Sequence, residues 1–236
     1  MAGNGLEAAD LARLGGSLLI NMGSLQPDAL TNYTTALRAY NAVGGPVVFD
    51  PVGAGATAIR RSAVKTLMSA GYFDLIKGNE NEIKTVAGVA GTQQRGVDSG
   101  SSTSSLEEKA RLVRDLAARE RNVVLMTGAT DILSDGKRTY AVKNGHELLG
   151  TFTGSGCTLG TTIAAFLAAE REDKLLAALA GMLMFEIAAE WAALEESVKG
   201  PGSFVPVWLD QLYSIRSGKR EEWFKSARVE EIFVSE

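Results

Sequence analysis

Four short apolar runs, each followed by a longer stretch with helical spacing, constrain the fold of this chain more than any other feature. The runs cover residues 17–21, 46–50, 73–77 and 122–127. Runs without polar alternation indicate strands that are buried on both faces of a sheet. The intervening helices are predicted at 27–43, 59–70, 80–87 and 106–121. Strands and helices in this order predict an α/β fold with a mostly parallel central sheet.

The second half of the chain has a different pattern. Residues 131–149 contain short strand-like runs with turn signals at Asp135-Gly136 and Asn144-Gly145, which predict hairpins. Three helices are then predicted at 157–170, 174–195 and 205–215, whereas residues 89–105 are rich in Gly and Ser and predict a surface loop. Because the chain has no internal repeat, we expect one domain over residues 1–236.

The composition excludes several classes of partner. The 24 Lys and Arg residues against 28 Asp and Glu give a formal net charge of −4, and no basic block is present. Binding to nucleic acid or to an anionic membrane is therefore not indicated. The N-terminus has no secretory signal pattern, no apolar run reaches the ~18 residues of a membrane span, and a single cysteine suits a reducing compartment. We expect a cytoplasmic protein.

A glycine-rich turn directly precedes the first of the later helices. Its backbone N–H groups at Gly154, Ser155 and Gly156, together with the helix dipole, could hold a phosphate or a developing oxyanion. The same field would favour the thiolate form of Cys157. The alternative is a tight packing loop in which Cys157 is a small buried side chain. The turn alone leaves both interpretations open.

Charged residues follow the predicted strands. Asp50, Lys77 and Thr127 end three of them, and Glu82 lies in the first turn of the next helix. Taken singly, each has a structural explanation: Asp50 could open a turn, Lys77 could be a solvated charge, and Glu82 could stabilise the start of a helix. Ligands collect beyond the carboxyl ends of parallel strands, where two carboxylates suit Mg²⁺ and a lysine suits nucleotide phosphates. The combination favours phosphoryl transfer, in the absence of Walker A and G-x-G-x-x-G patterns.

Six motifs in order give the chain a resemblance to a known family. They are LLINMG at 18–23, DPVGAGA at 50–56, KGNENE at 77–82, RGVD at 95–98, TGSGC at 153–157 and GPGSFVP at 200–206. Together they resemble the hydroxyethylthiazole kinases of thiamine biosynthesis, in particular the kinase half of fungal bifunctional proteins that also carry thiamine-phosphate synthase. The resemblance implies a ribokinase-like three-layer α/β/α fold and ATP- and Mg²⁺-dependent phosphorylation of 4-methyl-5-(2-hydroxyethyl)thiazole.

The resemblance also implies roles for particular residues. Cys157 matches the cysteine that deprotonates the substrate alcohol, and residues 154–156 match the anion hole, with Gly154 also touching the substrate. Asp50 and Glu82 match acidic positions associated with magnesium. Lys77, where many members have Arg, and Thr127 would bind ATP.

Further expectations concern the substrate pocket and the assembly. Met1 matches a methionine that lines the thiazole pocket, and the family is a homotrimer with active sites at subunit interfaces. Family members carry an additional strand and helix before this methionine, so we expect that element to be missing from the chain. A protein fused to, or derived from, a thiamine-phosphate synthase module would fit this pattern.

Three other functions remain open on the sequence alone. Hydroxymethylpyrimidine kinases and the ATP-dependent dehydratases of hydrated nicotinamide nucleotides share the fold, but they usually carry Asp where Cys157 stands. A chain that lacks a wall of the substrate pocket could also be a non-catalytic nucleotide-binding subunit.

Overall fold

A computed structural model describes residues 4–89, 104–219 and 221–234, and these residues form a sheet of seven strands with helices on both faces. The strands are β1 Leu18–Asn21, β2 Val47–Asp50, β3 Leu75–Asn79, β4 Val123–Thr127, β5 Asp131–Ser134, β6 Thr139–Val142 and β7 Val229–Glu231. The helices are α1 Ala8–Arg13, α2 Ala29–Ala42, α3 Ala58–Ala70, α4 Glu80–Ala87, α5 Leu106–Glu120, α6 Ser155–Ala169, α7 Lys174–Ala193 and α8 Pro201–Arg216. Short 3₁₀ turns cover Glu147–Gly150 and Trp223–Ser226.

The strands lie in the sheet in their sequence order. The first four run parallel, and β5, β6 and β7 continue the sheet in antiparallel fashion. The register places Asn21 beside Asp50 and Asn79 beside Thr127. Polar residues at the ends of four parallel strands therefore meet at one edge, as the sequence predicts.

The sheet separates two apolar layers. Alternate strand residues such as Val48 and Leu125 pack against α6, α7 and α8, while Phe49 and Val124 pack on the face covered by α2, α3, α4 and α5. This is the three-layer α/β/α arrangement that the sequence predicts. Strands buried on both faces explain why the four apolar runs lack a polar alternation.

Side-chain caps explain why helix α4 has the predicted bounds. The Asn79 side chain accepts a hydrogen bond from Glu82 N, and the Glu82 carboxylate accepts one from Asn79 N. This reciprocal capping box satisfies two backbone donors at the helix start. Gly88, in the left-handed conformation at φ 80°, ends the helix.

Helix α7 is a long and largely apolar helix. By length and composition, it is the one candidate for a membrane span among the described residues. However, 67% of its most apolar 18-residue stretch is buried inside the protein, where the helix packs between α6 and α8. Core helices of soluble proteins have the same character, so this feature is weak evidence for a membrane.

The structure corrects the prediction for residues 144–149. Asn144-Gly145 does not connect a hairpin, because β6 ends at Val142 and a 3₁₀ turn follows. His146 is the N-cap residue of this turn: its ring accepts a hydrogen bond from Leu148 N and stacks on Phe204 at a centroid distance of 6.2 Å. The predicted loop at 89–105 and the RGVD motif fall largely outside the described residues.

The C-terminal segment adds an edge strand that the sequence analysis did not predict. Strand β7 pairs with β6, and the Arg228 side chain donates to the Lys143 carbonyl and the Glu190 carboxylate. Asn144 binds the same segment through Ser226 O and Arg228 N. The side chain of Asn144 is therefore committed to a long-range contact, which explains why it does not form a local turn.

Replacing Gly136 with alanine is expected to destabilise the fold by roughly 2–4 kcal/mol, from left-handed backbone strain plus overpacking. Gly136 lies in the β5–β6 turn at φ +88°, and a Cβ there would approach Ala118 Cα to 2.7 Å. Urea unfolding of the two proteins measures the difference. Gly202→Ala is the matched control, since a Cβ at Gly202 meets nothing within 4 Å. Equal midpoints for the two variants would contradict the expectation.

Candidate active site

A cavity of about 690 Å³ opens at the carboxyl edge of the parallel strands. Its lining includes Asp50, Lys77, Glu82, Thr127, Gly154, Ser155, Gly156 and Cys157. The structure thus brings together all the predicted site residues that it describes. Met1, predicted to line the substrate pocket, lies outside the described residues.

The glycine-rich turn forms the N-terminus of helix α6. Gly154 occupies the N-cap position at φ 107°, a conformation that residues with a Cβ rarely adopt. Ser155 and Gly156 begin the helix, so their N–H groups belong to the first turn, which has no partners within the helix. Phe152, just before the turn, packs on Trp208 with a centroid distance of 5.9 Å and anchors this loop to α8.

Lys77 lies directly behind this turn. A Cβ on Gly156 would stand 3.4 Å from Lys77 Nζ, so the missing side chain brings the ammonium close to the helix start. Lys77 is only 4% exposed, and its Nζ lies 3.2 Å from Asp50 Oδ2. Positive charge from the lysine and from the helix dipole is therefore concentrated at one point of the cavity.

Asn21 connects this ion pair to the cysteine. Its Nδ2 donates to Asp50 Oδ2 at 2.9 Å and to Cys157 Sγ at 3.3 Å, and its Oδ1 accepts from Gly23 N at 2.8 Å. Cys157 itself is exposed to the cavity. The interpretation of Cys157 as a small buried packing residue is therefore wrong.

Burial dominates the electrostatics of both predicted magnesium ligands. Desolvation raises the pKa of Asp50, and the Lys77 charge and the hydrogen bonds from Lys77 and Asn21 oppose that rise. Desolvation also raises the pKa of Glu82, opposed mainly by the backbone N–H groups of Gly53 and Asn79. Glu82 Oε1 accepts from Gly53 N at 2.8 Å, so this carboxylate also ties the loop after β2 to the start of α4.

The donor set fits a hydrated Mg²⁺ ion better than an ion held in a protein cage. Among the described residues, no three or more His, Cys, Asp or Glu side chains converge on one point. Asp50 uses Oδ2 for both of its side-chain contacts, which leaves Oδ1 without a hydrogen bond from any described residue. One or two carboxylates plus waters and substrate phosphates are the usual environment of Mg²⁺ in kinases.

The sequence analysis missed a second cavity and two residues that line it. This cavity has a volume of about 520 Å³ and shares Thr127, Ser155 and Gly156 with the first one. It also contains the buried carboxyl groups of Asp131 and Glu186. A carboxylate in the middle of the largely apolar helix α7 was the available signal, since charged side chains are rarely buried without a function or a partner. Asn21 could have been found from its position at the end of β1.

Comparison with known proteins identifies the family. A sequence model described as the hydroxyethylthiazole kinase family matches residues 1–218. A hydroxyethylthiazole kinase from Roseiflexus castenholzii is 41% identical over 226 residues, which cover 96% of this chain and 80% of that protein. A Schizosaccharomyces pombe protein, described as a probable thiamine biosynthetic bifunctional enzyme, is 39% identical over 233 residues, or 95% of this chain. The chain spans 44% of the length of that relative.

A solved structure agrees with the sequence matches. The hydroxyethylthiazole kinase protein from Pyrococcus horikoshii OT3 superposes with a TM-score of 0.84 at 36% identity, covering 99% of this chain and 84% of that one. The predicted ribokinase-like fold is confirmed. The pyrimidine-kinase, dehydratase and non-catalytic alternatives are not favoured, because the relatives near 40% identity carry the thiazole kinase name. The chain therefore belongs to the hydroxyethylthiazole kinase family, a family of kinase enzymes.

Proposed function

We propose that the protein transfers the γ-phosphoryl group of ATP to the primary alcohol of 4-methyl-5-(2-hydroxyethyl)thiazole, as a step of thiamine biosynthesis. The exposed thiol of Cys157 beside the Gly154–Gly156 helix start is the observation that carries this proposal. This observation supports the proposal because a thiol that could accept a proton lines the same cavity as N–H groups that could bind an anion. Phosphoryl transfer to an alcohol requires both kinds of group.

The proposed transfer divides the chemistry between two parts of the cavity. The alcohol oxygen attacks the γ-phosphorus while its proton passes to the Cys157 sulfur. The bond from the γ-phosphorus to the bridging oxygen breaks, and ADP leaves with the bond electrons. The backbone N–H groups of Gly154, Ser155 and Gly156 stabilise the charge on the transferring phosphoryl oxygens.

Three side chains would hold the nucleotide and the metal. Lys77 lies close enough to the helix start to meet the ATP phosphates, and Thr127 lines both cavities from the end of β4. A lysine supplies charge without the paired hydrogen bonds that an arginine would give. Asp50 and Glu82 would hold Mg²⁺ through water, and the ion would neutralise phosphate charge in the transfer.

Several features of the whole protein belong to the same proposal. We assign Met1 and Gly154 to the thiazole pocket, and we place the enzyme in the cytoplasm as a homotrimer with active sites at subunit interfaces. Exposed apolar side chains on α8, such as Leu209 and Tyr213, would suit such an interface. The match to part of a bifunctional protein supports a relationship to a thiamine-phosphate synthase fusion.

The direct test is an assay of ADP release with purified protein, ATP, Mg²⁺ and the thiazole alcohol. We expect turnover that depends on the alcohol, and a phosphorylated thiazole that mass spectrometry detects. Hydroxymethylpyrimidine and hydrated nicotinamide nucleotide serve as control substrates and should give no product. Turnover with a control substrate and none with the thiazole would overturn the proposal.

Glu82→Gln is expected to raise the Mg²⁺ concentration for half-maximal activity about tenfold, or about 1.4 kcal/mol, because a carboxylate that holds the ion through water loses its charge. A titration of activity against Mg²⁺ at saturating ATP measures this change. The Glu82 carboxylate also accepts hydrogen bonds from the backbone N–H groups of Gly53 and Asn79. The glutamine amide has one acceptor oxygen, so one of these two hydrogen bonds is lost. Glu108→Gln in the second capping box, at Ser105, controls for the loss of such a helix cap. An unaltered Mg²⁺ titration in Glu82→Gln would refute the proposed magnesium site.

A further inference from the structure

Two buried carboxyl groups face each other behind the turn that carries Thr127. Asp131 begins β5 and is 5% exposed, and Glu186 lies in the middle of α7 and is 4% exposed. Both groups line the second cavity, and a side-chain hydrogen bond between them contributes to the pKa of each. Neither has a place in the phosphoryl transfer proposed above.

The pair can form a hydrogen bond only if it retains a proton. Glu186 Oε2 is fully buried and accepts no hydrogen bond from an N–H or hydroxyl donor of the described residues. Burial, and then the negative charge of Asp131, raise the pKa of Glu186 far above its ordinary range. Burial also raises the pKa of Asp131, opposed by Glu186, Gly128 N–H and Lys77. Glu186 is therefore the member that holds the proton at neutral pH.

Other charged groups around Glu186 do not replace this proton. Glu190, one turn further along α7, raises the Glu186 pKa, and Arg228 of the C-terminal segment lowers it less. Arg228 is already engaged with Glu190 Oε1 at 2.6 Å. The arginine therefore compensates Glu190, and Glu186 must be neutral to stay buried beside Asp131.

Asp131 transmits the state of the pair to the active site. Its Oδ1 accepts a hydrogen bond from Gly128 N at 2.9 Å, which closes the turn after β4. Thr127, which lines both cavities, immediately precedes this turn. A shift of the Asp131 carboxylate would break this hydrogen bond, which lies next to a proposed ATP contact.

We propose that Glu186 is a positioning residue for the nucleotide: in its acid form it donates a hydrogen bond to Asp131, and so fixes Asp131 as the acceptor that holds the Thr127–Gly128 turn. This inference rests on the proposed function only in that ATP is the ligand. Ionised Glu186 would repel Asp131 and release the turn. A neutral hydrogen-bond donor at position 186 should therefore preserve ATP binding.

Calorimetric titration with a non-hydrolysable ATP analogue and Mg²⁺ tests the proposal without requiring catalysis. Glu186→Gln keeps a neutral donor and should bind the analogue with a Kd within about twofold of the parent protein. Glu186→Leu removes the donor and should weaken binding about tenfold, the effect of losing a hydrogen bond to a charged acceptor. Equal Kd values for the parent and both variants would overturn the proposal.

The pH dependence separates positioning from a purely structural effect. As the pH rises into the alkaline range, Glu186 ionises and the Kd of the parent protein should rise more steeply than that of Glu186→Gln. Parallel pH profiles would contradict the proposal.

Asp131→Asn is the second variant, because its amide can donate to ionised Glu186 while its oxygen accepts from Gly128 N. It should show the same reduced slope, and a slope equal to the parent's would overturn the proposal even if Glu186→Leu does not fold.

The outcome for this pair is distinguishable from the outcome for the proposed function. A protein that binds the ATP analogue, responds to Glu186 as expected and yet does not phosphorylate the thiazole would refute the substrate and leave the positioning role intact. A protein that phosphorylates the thiazole with no dependence of ATP binding on Glu186 would refute the positioning role alone.

Discussion

The Cys157→Ala variant is expected to lose about 100-fold in kcat, the usual contribution of a positioned general base. ATP affinity should change less than twofold, since the thiol is proposed to act on the alcohol and not on the nucleotide. Stability should stay within about 0.5 kcal/mol of the parent value, because the Cys157 side chain is exposed. Steady-state kinetics of ADP release, with alcohol and ATP varied separately, measure kcat and the KM for each substrate.

A second substitution separates proton acceptance from simple contact. Cys157→Ser keeps an acceptor for the Asn21 amide, which donates to the sulfur at 3.3 Å, but a serine hydroxyl is a much poorer base than a thiolate. A loss in Cys157→Ser as large as that in Cys157→Ala supports the base. An unchanged kcat in Cys157→Ala would leave the N–H groups of residues 154–156 as the main source of catalysis.

Lys77→Met is expected to lower stability by roughly 3 kcal/mol and to raise the KM for ATP at least tenfold. The stability loss follows from leaving Asp50 buried with no counter-charge, since both side chains of the pair are at most 5% exposed. The KM effect follows from the proximity of the ammonium to the helix start of α6. Thermal unfolding and ATP titrations measure the two effects separately.

The double variant Lys77→Met with Asp50→Asn tests whether the unpaired charge of Asp50 causes the loss of stability. Removing both charges should recover most of the lost stability, because a neutral pair avoids the uncompensated charge, but it should not recover ATP affinity. The pH dependence gives a second check. Burial raises the pKa of Asp50, so the deficit of Lys77→Met should shrink as the pH falls and Asp50 takes up a proton. A deficit that is constant with pH, or a double variant as unstable as the single one, would contradict this explanation.

The sequence alone predicted those elements whose bounds depend on interactions between residues close together in the chain. The bounds of α4 follow from Asn79 and Glu82, whose capping box is complete within four residues. The hairpin turn at Asp135-Gly136 is also local, since Asp135 binds its own neighbours and Gly136 adopts a positive φ. Asn144-Gly145 has an equally strong turn signal, yet distant contacts to the C-terminal segment and Glu190 determine its conformation.

The same division applies to the site. Asp50 and Thr127 could be predicted because the carboxyl ends of parallel strands converge wherever such a sheet forms. Lys77 was predicted to end its strand, but β3 continues to Asn79, and Lys77 reaches the cavity from within the strand. Glu186 could not be placed from sequence, because its partner Asp131 is on another element and only the tertiary fold brings them together. The ion pair between Lys77 and Asp50 was equally hidden, since the sequence suggested separate roles for the two side chains.

Strand β7 has a consequence for how copies of the protein can associate. It is an edge strand beyond the 1–218 region of the family match, and its residues Val229, Glu230 and Glu231 are all exposed. Glu230 is paired with Lys143, and within the described residues β7 pairs with no strand other than β6. Charged side chains on an edge strand discourage pairing with a strand of another chain. The exposed carboxylates of β7 therefore disfavour the addition of a strand from another chain at this end of the sheet.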